Sequence, residues 1–498
     1  MVQSAAVRSA VLIDSNIFIA AEDHGIDGHV HGADAATLIR LVNELGYELV
    51  VSSGTRSDIL AADPPRRDRM RRALQRYTVL QPVAENATVR AQFPSTLSGN
   101  DRADLEVLST FATGRATWLV SQDRQLRQRA GRAGLTNVLS LDDAIALFGA
   151  LRDPYALRLP TARVVEAYTI DQSAAIFDSL KRDYPGFNAW WTSKVVPEQR
   201  DVIVIGDAQA PEGLVVLKVE TDQPHGLPQP VLKLCTFKIG DEFRGDKRGE
   251  LLLKAAVMHA RDHGQPAVYL EVLPDKADLL DWLSRFGFVP VPGATAPNDQ
   301  LVLRKLLDPQ PDSQPLSSLE HAIAYGPGSS RLARAHAIPI RDHWHRRLLP
   351  EAEPLSEPGL FDIGYGAEGC GNAILKAYLC NAPTRQITPG DGVVFIRTND
   401  PPSIITSVGV VEQTLVSRSV DEIAAFVGTR TVYSRREIAE LCSKPREVLA
   451  ILFRFDRALT NPIPVDEMVA AGHLNGTVQS STQISREAVA WVRQQLGA

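Results

Sequence analysis

FKIGDEFRGDKRGELLLKAA, residues 237–256, is the stretch that decides the fold of the chain's middle part. The apolar start FKI is typical of a strand end, its glycines allow a tight loop, and GELLLKAA begins a long helical run. Backbone N–H groups at such a helix start, together with the helix dipole, are suited to binding a pyrophosphate. The stretch therefore predicts a phosphate-binding turn between a strand and a helix.

The sequence on either side of this turn has an α+β pattern. Downstream, VYLEV (268–272) predicts a strand, and LLDWLSRFGFVPV (279–291) predicts a helix that ends in a Gly-Phe turn. Four further stretches predict strands: DVIVIGD (201–207), GLVVLKVE (213–220), VLKLCTFKI (231–239) and LVLRKL (301–306).

This order resembles the GNAT acetyltransferases over residues 160–307. The family's signature loop is an Arg or Gln, two residues, a Gly, one residue, then Gly or Ala. Arg244, Gly245 and Gly249 match that loop, and Lys247 stands in place of its middle glycine. The resemblance implies an N-acetyltransferase domain whose acetyl-CoA is held by Phe237, Ile239, Arg244, Gly245, Lys247, Arg248 and Gly249.

Two positions depart from the GNAT pattern. Leu283 falls where a Tyr often serves as general acid, and Lys276 falls where an Asn often contacts the cofactor. A different acid, or none, would then protonate the thiolate, and Glu271 is a candidate base. A ligand-sensing domain without catalysis is the alternative.

The first 150 residues alternate short apolar runs with helical stretches, which predicts a parallel α/β sheet. Asp14 and Asp123 follow runs that predict buried strands, and Asp58 and Asp104 lie in intervening stretches. Carboxylates gathered at one edge of a sheet repel each other unless a cation neutralises them. Mg²⁺ or Mn²⁺, with oxygen ligands, suits such a cluster, so the pattern predicts a metal-dependent nuclease.

The order VLIDSN, a helix-borne acid, and LVSQDRQL resembles the PIN-domain ribonucleases over most of residues 1–152. Asp101 competes with Asp104 for the third acidic position, and Asn16 and Ser121 would orient the ligands. The alternative is that these acids are helix caps or solvated surface groups. The resemblance implies catalysis by Asp14, Asp58, Asp104, Asp123, Asn16 and Ser121, with Mg²⁺ or Mn²⁺ held among Asp14, Asp58, Asp101, Asp104 and Asp123.

A stretch rich in Pro, Ser and Gly at 308–334 predicts a linker, and 335–498 contains short strand-like runs broken by turns. GNAILKAYL, ITPGDGVVFIRT and IITSVGVVEQ resemble the ASCH and PUA-like small β-barrels, which implies RNA binding. Surface arginines of this part are candidate phosphate contacts: Arg397, Arg430, Arg435 and Arg436. His343 and His345 have a spacing that would place them on one face of a strand.

The length, net charge and cysteine content of the chain limit which of these assignments are possible. The chain has 498 residues, which predicts roughly three domains, so we expect a multi-domain α/β and α+β protein. The net charge of −6 gives no global positive field for nucleic acid. Four widely spaced cysteines form neither a zinc pattern nor a disulfide framework. No apolar run is long enough for a membrane span, and a cytoplasmic location is expected.

Together the three resemblances predict an RNA endonuclease joined to an N-acetyltransferase, acting on RNA, with tRNA as the candidate target, as a toxin, stress or defence effector. A protein antitoxin or regulator, and a homodimer through the first domain, are further candidate partners. Two alternatives stay open: an acetyltransferase whose flanking domains only bind, and a regulatory RNA-binding protein whose enzyme folds have both degenerated.

Overall fold

The computed structural model describes residues 9–22, 31–55, 64–152, 162–243, 247–311, 313–329, 331–352, 373–398, 402–476 and 478–495. The chain forms two compact units. Unit 1 comprises Met1–Ala156, Ser417–Thr429 and Tyr433–Ser443. Unit 2 comprises Leu157–Val416, Arg430–Val432 and Lys444–Ala498. In the described residues no helix combines the length and the apolar character that crossing a membrane requires.

Unit 1 contains a five-stranded sheet in the order β3-β2-β1-β4-β5, and its neighbouring strands are parallel. The central strands β1 and β4 are buried along their whole length, as expected where helices cover both faces of a parallel sheet. The strands are β1 Ala10–Ile13, β2 Glu48–Val51, β3 Thr78–Val79, β4 Trp118–Val120 and β5 Val138–Leu139.

Helices connect these strands. They are α1 Ser15–Glu22, α2 Gly32–Glu44, α3 Pro64–Leu74, α4 Ala87–Arg90, α5 Gly99–Phe111, α6 Arg124–Arg132 and α7 Leu141–Arg152. The loop after β4 leads directly into α6. The side chain of Asp101 completes a capping box with Ser98 at the start of α5.

A helical hairpin from much later in the chain completes unit 1. It consists of the helices Val420–Val427 and Arg435–Cys442, and we call it the late hairpin. Arg435 donates a hydrogen bond to the Tyr47 hydroxyl at 2.9 Å, and its guanidinium lies 4.9 Å from the centroid of the Tyr47 ring. Asp421 accepts hydrogen bonds from Arg435 and from Ser9. The late hairpin is thus attached to the segment that precedes β1 and to the residue before β2.

Unit 2 begins with a seven-stranded sheet in the order β11-β12-β10-β9-β8-β7-β6. Its neighbours are antiparallel except β9 and β10. The strands are β6 Ala162–Glu166, β7 Asp201–Asp207, β8 Ala210–Glu220, β9 Val231–Ile239, β10 Ala267–Val272, β11 Val289–Ala296 and β12 Gln300–Leu306. The helices are α8 Asp178–Asp183, α9 Phe187–Trp190, α10 Arg248–Asp262 and α11 Ala277–Ser284.

Apolar side chains cover both faces of this sheet. Leu232 and Leu234 of β9 belong to one core cluster together with Leu252 of α10 and Leu283 of α11. A second cluster contains Trp191, just after α9, with residues of β7 and β8. The alternation of side chains along each strand therefore separates an α10 face from an opposite face.

The stretch that the sequence predicts as a linker contains the helix α12, Ser318–Tyr325, whose N-terminus has a capping box formed by Ser317 and Glu320. The buried ammonium of Lys305 donates hydrogen bonds to the carbonyls of Ile323 at 3.0 Å and Ala324 at 2.9 Å. Gly287 has a φ of +79°, and a Cβ there would lie 2.2 Å from the Ile323 oxygen. This stretch is therefore packed against the seven-stranded sheet, because buried donors and close backbone contacts hold it.

The last sheet of unit 2 has six strands in the order β14-β17-β16-β15-β13-β18, and the run IITSVGVVEQ is part of a longer strand. The strands are β13 Ala335–Arg341, β14 Leu375–Cys380, β15 Gly392–Thr398, β16 Ile404–Ser417, β17 Val448–Pro464 and β18 Thr482–Gln483. The helices are α13 Asp342–Leu348, α14 Val465–Ala470 and α15 Arg486–Gln495. Among the described strands no ladder joins β14 to β18, so the small barrel stays a prediction.

Buried ion pairs join the two sheets of unit 2. Glu351 accepts hydrogen bonds from Lys376 of β14 at 2.8 Å and from Lys254 of α10. Glu250 of α10 forms an ion pair with Arg430 at 2.8 Å. Although burial would raise it, Lys254 and Lys376 hold the pKa of Glu351 below its usual value. Because a carboxylate is tolerated in such a place only when cations surround it, these pairs fix how the two sheets meet.

Candidate functional sites

Strands β9 and β10 diverge next to the start of helix α10. They pair in parallel at three positions only, the last being Tyr269 with Lys233, while β9 continues to Ile239 and β10 to Val272. Beyond that point β9 keeps its ladder with β8, and β10 keeps its ladder with β12. The unpaired edges of two parallel strands thus face each other beside a helix N-terminus, which is a suitable place for an extended ligand with phosphates.

The turn between β9 and α10 contains the expected cofactor residues. Lys247 immediately precedes α10 with a φ of +69°, the left-handed conformation that a glycine adopts easily. The position where the signature has its middle glycine therefore keeps a glycine-like backbone angle. Phe237 and Ile239 lie in β9 and are half-buried, and the predicted contacts Arg244 and Gly245 lie outside the described residues.

Two residues at the start of α10 have protein contacts. Arg248 forms an ion pair with Glu212, and its guanidinium lies 3.8 Å from the centroid of the Phe243 ring. A Cβ on Gly249 would lie 3.4 Å from the Trp282 ring of α11. The Arg248 guanidinium is therefore paired with Glu212. Phosphate binding by the turn would thus depend on the backbone N–H groups of the turn.

A set of ionisable side chains lies on the sheet face opposite α10, where β9 and β10 begin to separate. We call it the charged cluster, and it comprises Lys218, Glu220, His225, Lys233, Tyr269 and Glu271. Lys233 donates to Glu271 at 2.6 Å, and Lys218 donates to Glu220 at 2.6 Å. The Tyr269 hydroxyl also donates to Glu220. His225 Nε2 lies 3.9 Å from a Glu271 oxygen.

Burial changes the acidity of groups in and beside the charged cluster. It raises the pKa of the Tyr269 hydroxyl, and the hydrogen bond to Glu220 raises this pKa further. Although burial opposes the shift, Lys218 and Tyr269 hold the pKa of Glu220 below its usual value. Burial also raises the pKa of the neighbouring Cys235 thiol to about 11. At neutral pH the tyrosine and the thiol therefore keep their protons, and Glu220 is ionised.

Of the charged cluster, the sequence analysis identifies only Glu271 as a candidate functional residue. Lys218 and Glu220 in β8, like Tyr269 and Glu271 in β10, are two residues apart, so each pair lies on one face of its strand. That spacing is the signal that could have found them. Cys235 is the extra residue of a β-bulge between β8 and β9, because Val216 pairs with Thr236 and Leu217 with Leu234.

The structure also shows the surroundings of four other residues of this segment. Leu283 is fully buried in the core on the α10 face, which explains why an apolar residue occupies that position. Trp191 is also fully buried, so it is a packing residue, while Trp190 lies 5.6 Å from the Arg200 guanidinium. Lys276 lies 3.9 Å from carboxylate oxygens of Asp183 and Asp275.

In unit 1 the structure brings together five of the predicted polar residues: Asp14, Asn16, Asp104, Ser121 and Asp123. Asp14 follows β1 and accepts hydrogen bonds from Ser121 at 2.6 Å and from Asn16 at 2.7 Å. Asp123 caps α6 by accepting from the Leu126 N–H at 2.9 Å. Asp123 is thus a helix cap, and its role in an acidic site stays a prediction. Asn16 and Ser121 donate to Asp14, and their role in orienting a ligand of a metal ion stays a prediction.

Asp104 lies within the electrostatic influence of both Asp14 and Asp123. Burial first, and then the Asp123 and Asp14 carboxylates, raise its pKa to about 7, while Arg129 opposes the increase. Arg129 of α6 contacts Asp104 at 3.0 Å and Asp101 at 2.8 Å. The Arg129 guanidinium therefore neutralises part of the charge of Asp101 and Asp104, for which the sequence analysis expects a divalent ion.

The metal site expected from the sequence is not assembled in the part of unit 1 that the structure describes. No group of three or more His, Cys, Asp or Glu side chains there could hold a metal ion. Asp101 turns toward Ser98 and Arg129, and Arg129 also engages Asp104. Asp58, the remaining predicted ligand, lies outside the described residues.

The polar candidates of the third segment have mostly structural contacts. His343 and His345 lie on the helix α13, not on a strand, and the buried His345 ring is hydrogen-bonded to Thr406 at 2.7 Å. The four candidate arginines contact carboxylates: Arg397 with Asp342, Arg430 with Glu250, Arg435 with Asp421 and Arg436 with Glu440. Arg397, Arg430 and Arg435 are only partly exposed in these ion pairs. Arg436 is the most exposed of the four.

No protein-family model matches the sequence, and no curated protein matches it. Similar solved structures include ASCH proteins and GNAT acetyltransferase-like proteins. ASCH from Zymomonas mobilis is 10% identical over 32% of this chain and 95% of its own, with a TM-score of 0.25. PaiA N-acetyltransferase from Thermoplasma acidophilum, in complex with coenzyme A, is 14% identical over 29% and 99%, with a TM-score of 0.23.

A GNAT-family protein from Desulfovibrio desulfuricans is 12% identical over 29% of this chain and 99% of its own, with a TM-score of 0.25. At these identities and scores the similarity does not itself establish an activity for this chain. These similarities do not show a PIN domain, and the assignment of the first segment stays a prediction.

Proposed function

We propose that residues 162–307 bind an acyl-CoA and transfer its acyl group to an amine. The observation that carries this proposal is the divergence of β9 and β10 after three paired residues, beside the N-terminus of α10. The backbone of the turn at Lys247–Gly249 would hold the pyrophosphate. The charged cluster lies on the opposite face of the same two strands.

The residues of the charged cluster would act on the incoming amine. A bound acyl-CoA supplies a thioester carbonyl that a neutral amine can attack, with formation of a C–N bond and loss of the C–S bond. Glu271 takes the proton that the ammonium group must lose, and His225, 3.9 Å away, passes it toward solvent. Lys233 fixes the Glu271 carboxylate at 2.6 Å. The side chain that returns a proton to the leaving sulfur is not assigned.

Calorimetric titration of acetyl-CoA into the full chain tests the binding step. Gly249→Trp places a large ring against Trp282 and the start of α10, so we expect it to abolish the heat of binding. Gly131→Trp, at a helical position with open space around its Cβ, is the matched control and should bind normally. Normal affinity in Gly249→Trp would contradict the proposal. Binding without transfer to any amine would favour the ligand-sensing alternative.

A second candidate function is cleavage of RNA in unit 1, with tRNA among the candidate targets and a toxin, stress or defence role as its setting. The grouping of Asp14, Asp104 and Asp123 favours it, because Asp123 and Asp14 both act on Asp104 and add to the larger effect of burial in raising its pKa. The described carboxylates do not form a metal-binding group, so we assign no step to a metal ion. RNA recognition by the last sheet of unit 2 belongs to this same proposal.

Cleavage assays with Mn²⁺ and total RNA test the second candidate. Asp14→Asn keeps the size of the side chain and should abolish cleavage, and Asp123→Asn should do the same. Asp34→Asn, near the start of α2, is the control that should cleave normally. Equal cleavage by the wild type and Asp14→Asn would exclude unit 1 as the nuclease.

A further inference from the structure

Two histidines lie one helical turn apart at the C-terminal end of α10. His259 is in the last turn of that helix, and His263 is the residue that caps it. Their rings stack with centroids 4.1 Å apart and an interplanar angle of 25°. Residues at i and i+4 share one face of a helix, and two histidines at this spacing can bind one metal ion. The proposed acyl-CoA site uses neither histidine, because it lies at the other end of α10.

Contacts with neighbouring oxygen atoms determine which ring nitrogens are free to bind. His263 Nδ1 lies 2.8 Å from the His259 carbonyl oxygen. Because a carbonyl oxygen only accepts, Nδ1 carries the proton and the neutral His263 ring has its lone pair on Nε2. His259 Nε2 lies 3.6 Å from an Asp201 carboxylate oxygen, which favours a proton on Nε2 and a lone pair on Nδ1. Metal-binding histidines are usually oriented by such a second contact to a carbonyl or a carboxylate.

The His259 ring is accessible from solvent and neutral at pH 7. Its side chain is 10% exposed, and its ring nitrogens are not among the buried side-chain atoms that lack a hydrogen-bond partner. Burial, and after it the neighbouring His263, lowers the pKa of His259, although Asp201 and Asp262 oppose this shift. Neutral imidazole is the form that binds a metal ion, so a proton does not block this ring at neutral pH.

The charge around the two histidines favours a cation. The last carbonyls of α10 form the negative end of the helix dipole. Asp201 and Asp262 both act electrostatically on the His259 ring. Glu166 of β6 pairs directly with Asp201 of β7, so two like charges face each other across these strands. A bound divalent cation would reduce the repulsion between these carboxylates.

We propose that His259 and His263 together bind a transition metal ion such as Ni²⁺, Cu²⁺ or Zn²⁺, with Asp201 orienting the His259 ring. Two imidazole nitrogens suit ions of this class, whereas Mg²⁺ and Ca²⁺ prefer oxygen ligands. Among the residues that the structure describes, no third His, Cys, Asp or Glu completes the site, so water or an external ligand takes the remaining positions.

Calorimetric titration of Ni²⁺ into the full chain, without a histidine tag, tests the site. Excess Mg²⁺ in the buffer occupies any site built from oxygen ligands alone. We expect His259→Gln and His263→Gln each to abolish or strongly weaken Ni²⁺ binding, and Asp201→Asn to weaken it about tenfold because that carboxylate only orients a ring. The matched control is His473→Gln, which removes a partly exposed histidine beside Trp491 and should bind Ni²⁺ as the wild type does. Absence of Ni²⁺ binding, or equal affinity in the wild type and His263→Gln, would overturn the proposal.

Electron paramagnetic resonance of the chain with one equivalent of Cu²⁺ identifies the ligands. The wild-type spectrum should show coupling to the nitrogen nuclei of both imidazoles, and His263→Gln should lose the coupling to one of them. A spectrum without nitrogen coupling, or one that both His259→Gln and His263→Gln leave unchanged, means an adventitious ion only and overturns the site. Gly249→Trp, which should lose acetyl-CoA binding, should keep its affinity for Ni²⁺, so the two proposals fail independently.

Discussion

The backbone angle of Lys247 is a local feature with a measurable energy. A φ of +69° costs a residue with a Cβ roughly 1 kcal/mol relative to glycine, and this cost occurs at the turn that would hold a pyrophosphate. We expect Lys247→Gly to be more stable than Lys247→Ala by about 1 kcal/mol, because both lose the side chain but only glycine relieves the angle. Urea unfolding of unit 2 measures the difference. Equal stability of the two variants would show that the turn is not strained.

Asp104 predicts a pH dependence of stability in unit 1. Its pKa in the folded chain is raised to about 7 from a usual value of 3.8, so the folded state holds a proton that the unfolded state releases. The stabilisation is complete below about pH 4 and is lost as the pH rises through 7. Asp104→Asn removes this loss and should be more stable than the wild type at pH 8 by roughly 1–3 kcal/mol, after allowance for partial solvent exposure.

Chemical denaturation at pH 5 and pH 8 measures the effect of Asp104→Asn. The control is Asp143→Asn, because that carboxylate is exposed and contacts Ser140 at the start of α7. An Asp104→Asn chain that loses stability between pH 5 and 8 as steeply as the wild type would contradict the raised pKa.

Elements with a strong local pattern could be predicted from the sequence. The apolar runs of β1 and β4 and the strand-turn-helix of β9 and α10 lie where their patterns place them. What could not be predicted depends on partners distant in the sequence. The bulge at Cys235 exists only in the register between β8 and β9, and α12 is fixed by the ammonium of Lys305. The neutralisation of Asp101 and Asp104 by Arg129 likewise requires α5 and α6 to be adjacent.

The contact between α10 and β14 is expected to depend on one carboxylate. Glu351→Gln would leave the ammonium groups of Lys254 and Lys376 close together without their shared anion, so we expect a loss of about 3–5 kcal/mol in unit 2. Combining it with Lys376→Met should recover part of that loss, because one buried charge is then removed.

Thermal and urea unfolding of these variants measure the loss. Glu440→Gln breaks an exposed pair with Arg436 and should change stability by less than about 0.5 kcal/mol. If Glu351→Gln and Glu440→Gln cost the same, the two sheets of unit 2 are not joined by this carboxylate.

Across the whole molecule, the late hairpin belongs to unit 1 although more than 250 residues separate it from that unit's sheet. Arg435→Gln removes the hydrogen bond and the ring contact to Tyr47, and we expect it to destabilise unit 1 by about 1–2 kcal/mol while leaving unit 2 unchanged. Arg436→Gln is the neighbouring control, since that side chain is 89% exposed.

Hydrogen exchange followed by mass spectrometry distinguishes the units. Amides of β2, next to Tyr47, should exchange faster in Arg435→Gln, and amides of β9 should not. Faster exchange in both strands, or in neither, would contradict the assignment of the late hairpin to unit 1.

The late hairpin also has a consequence for biosynthesis. A ribosome translates the N-terminal sheet early, but that sheet receives the last of its helices only after residue 443 has left the exit tunnel. Throughout most of translation the surface around Tyr47 is therefore uncovered, and genetic recombination cannot exchange the N-terminal part alone without leaving that surface exposed.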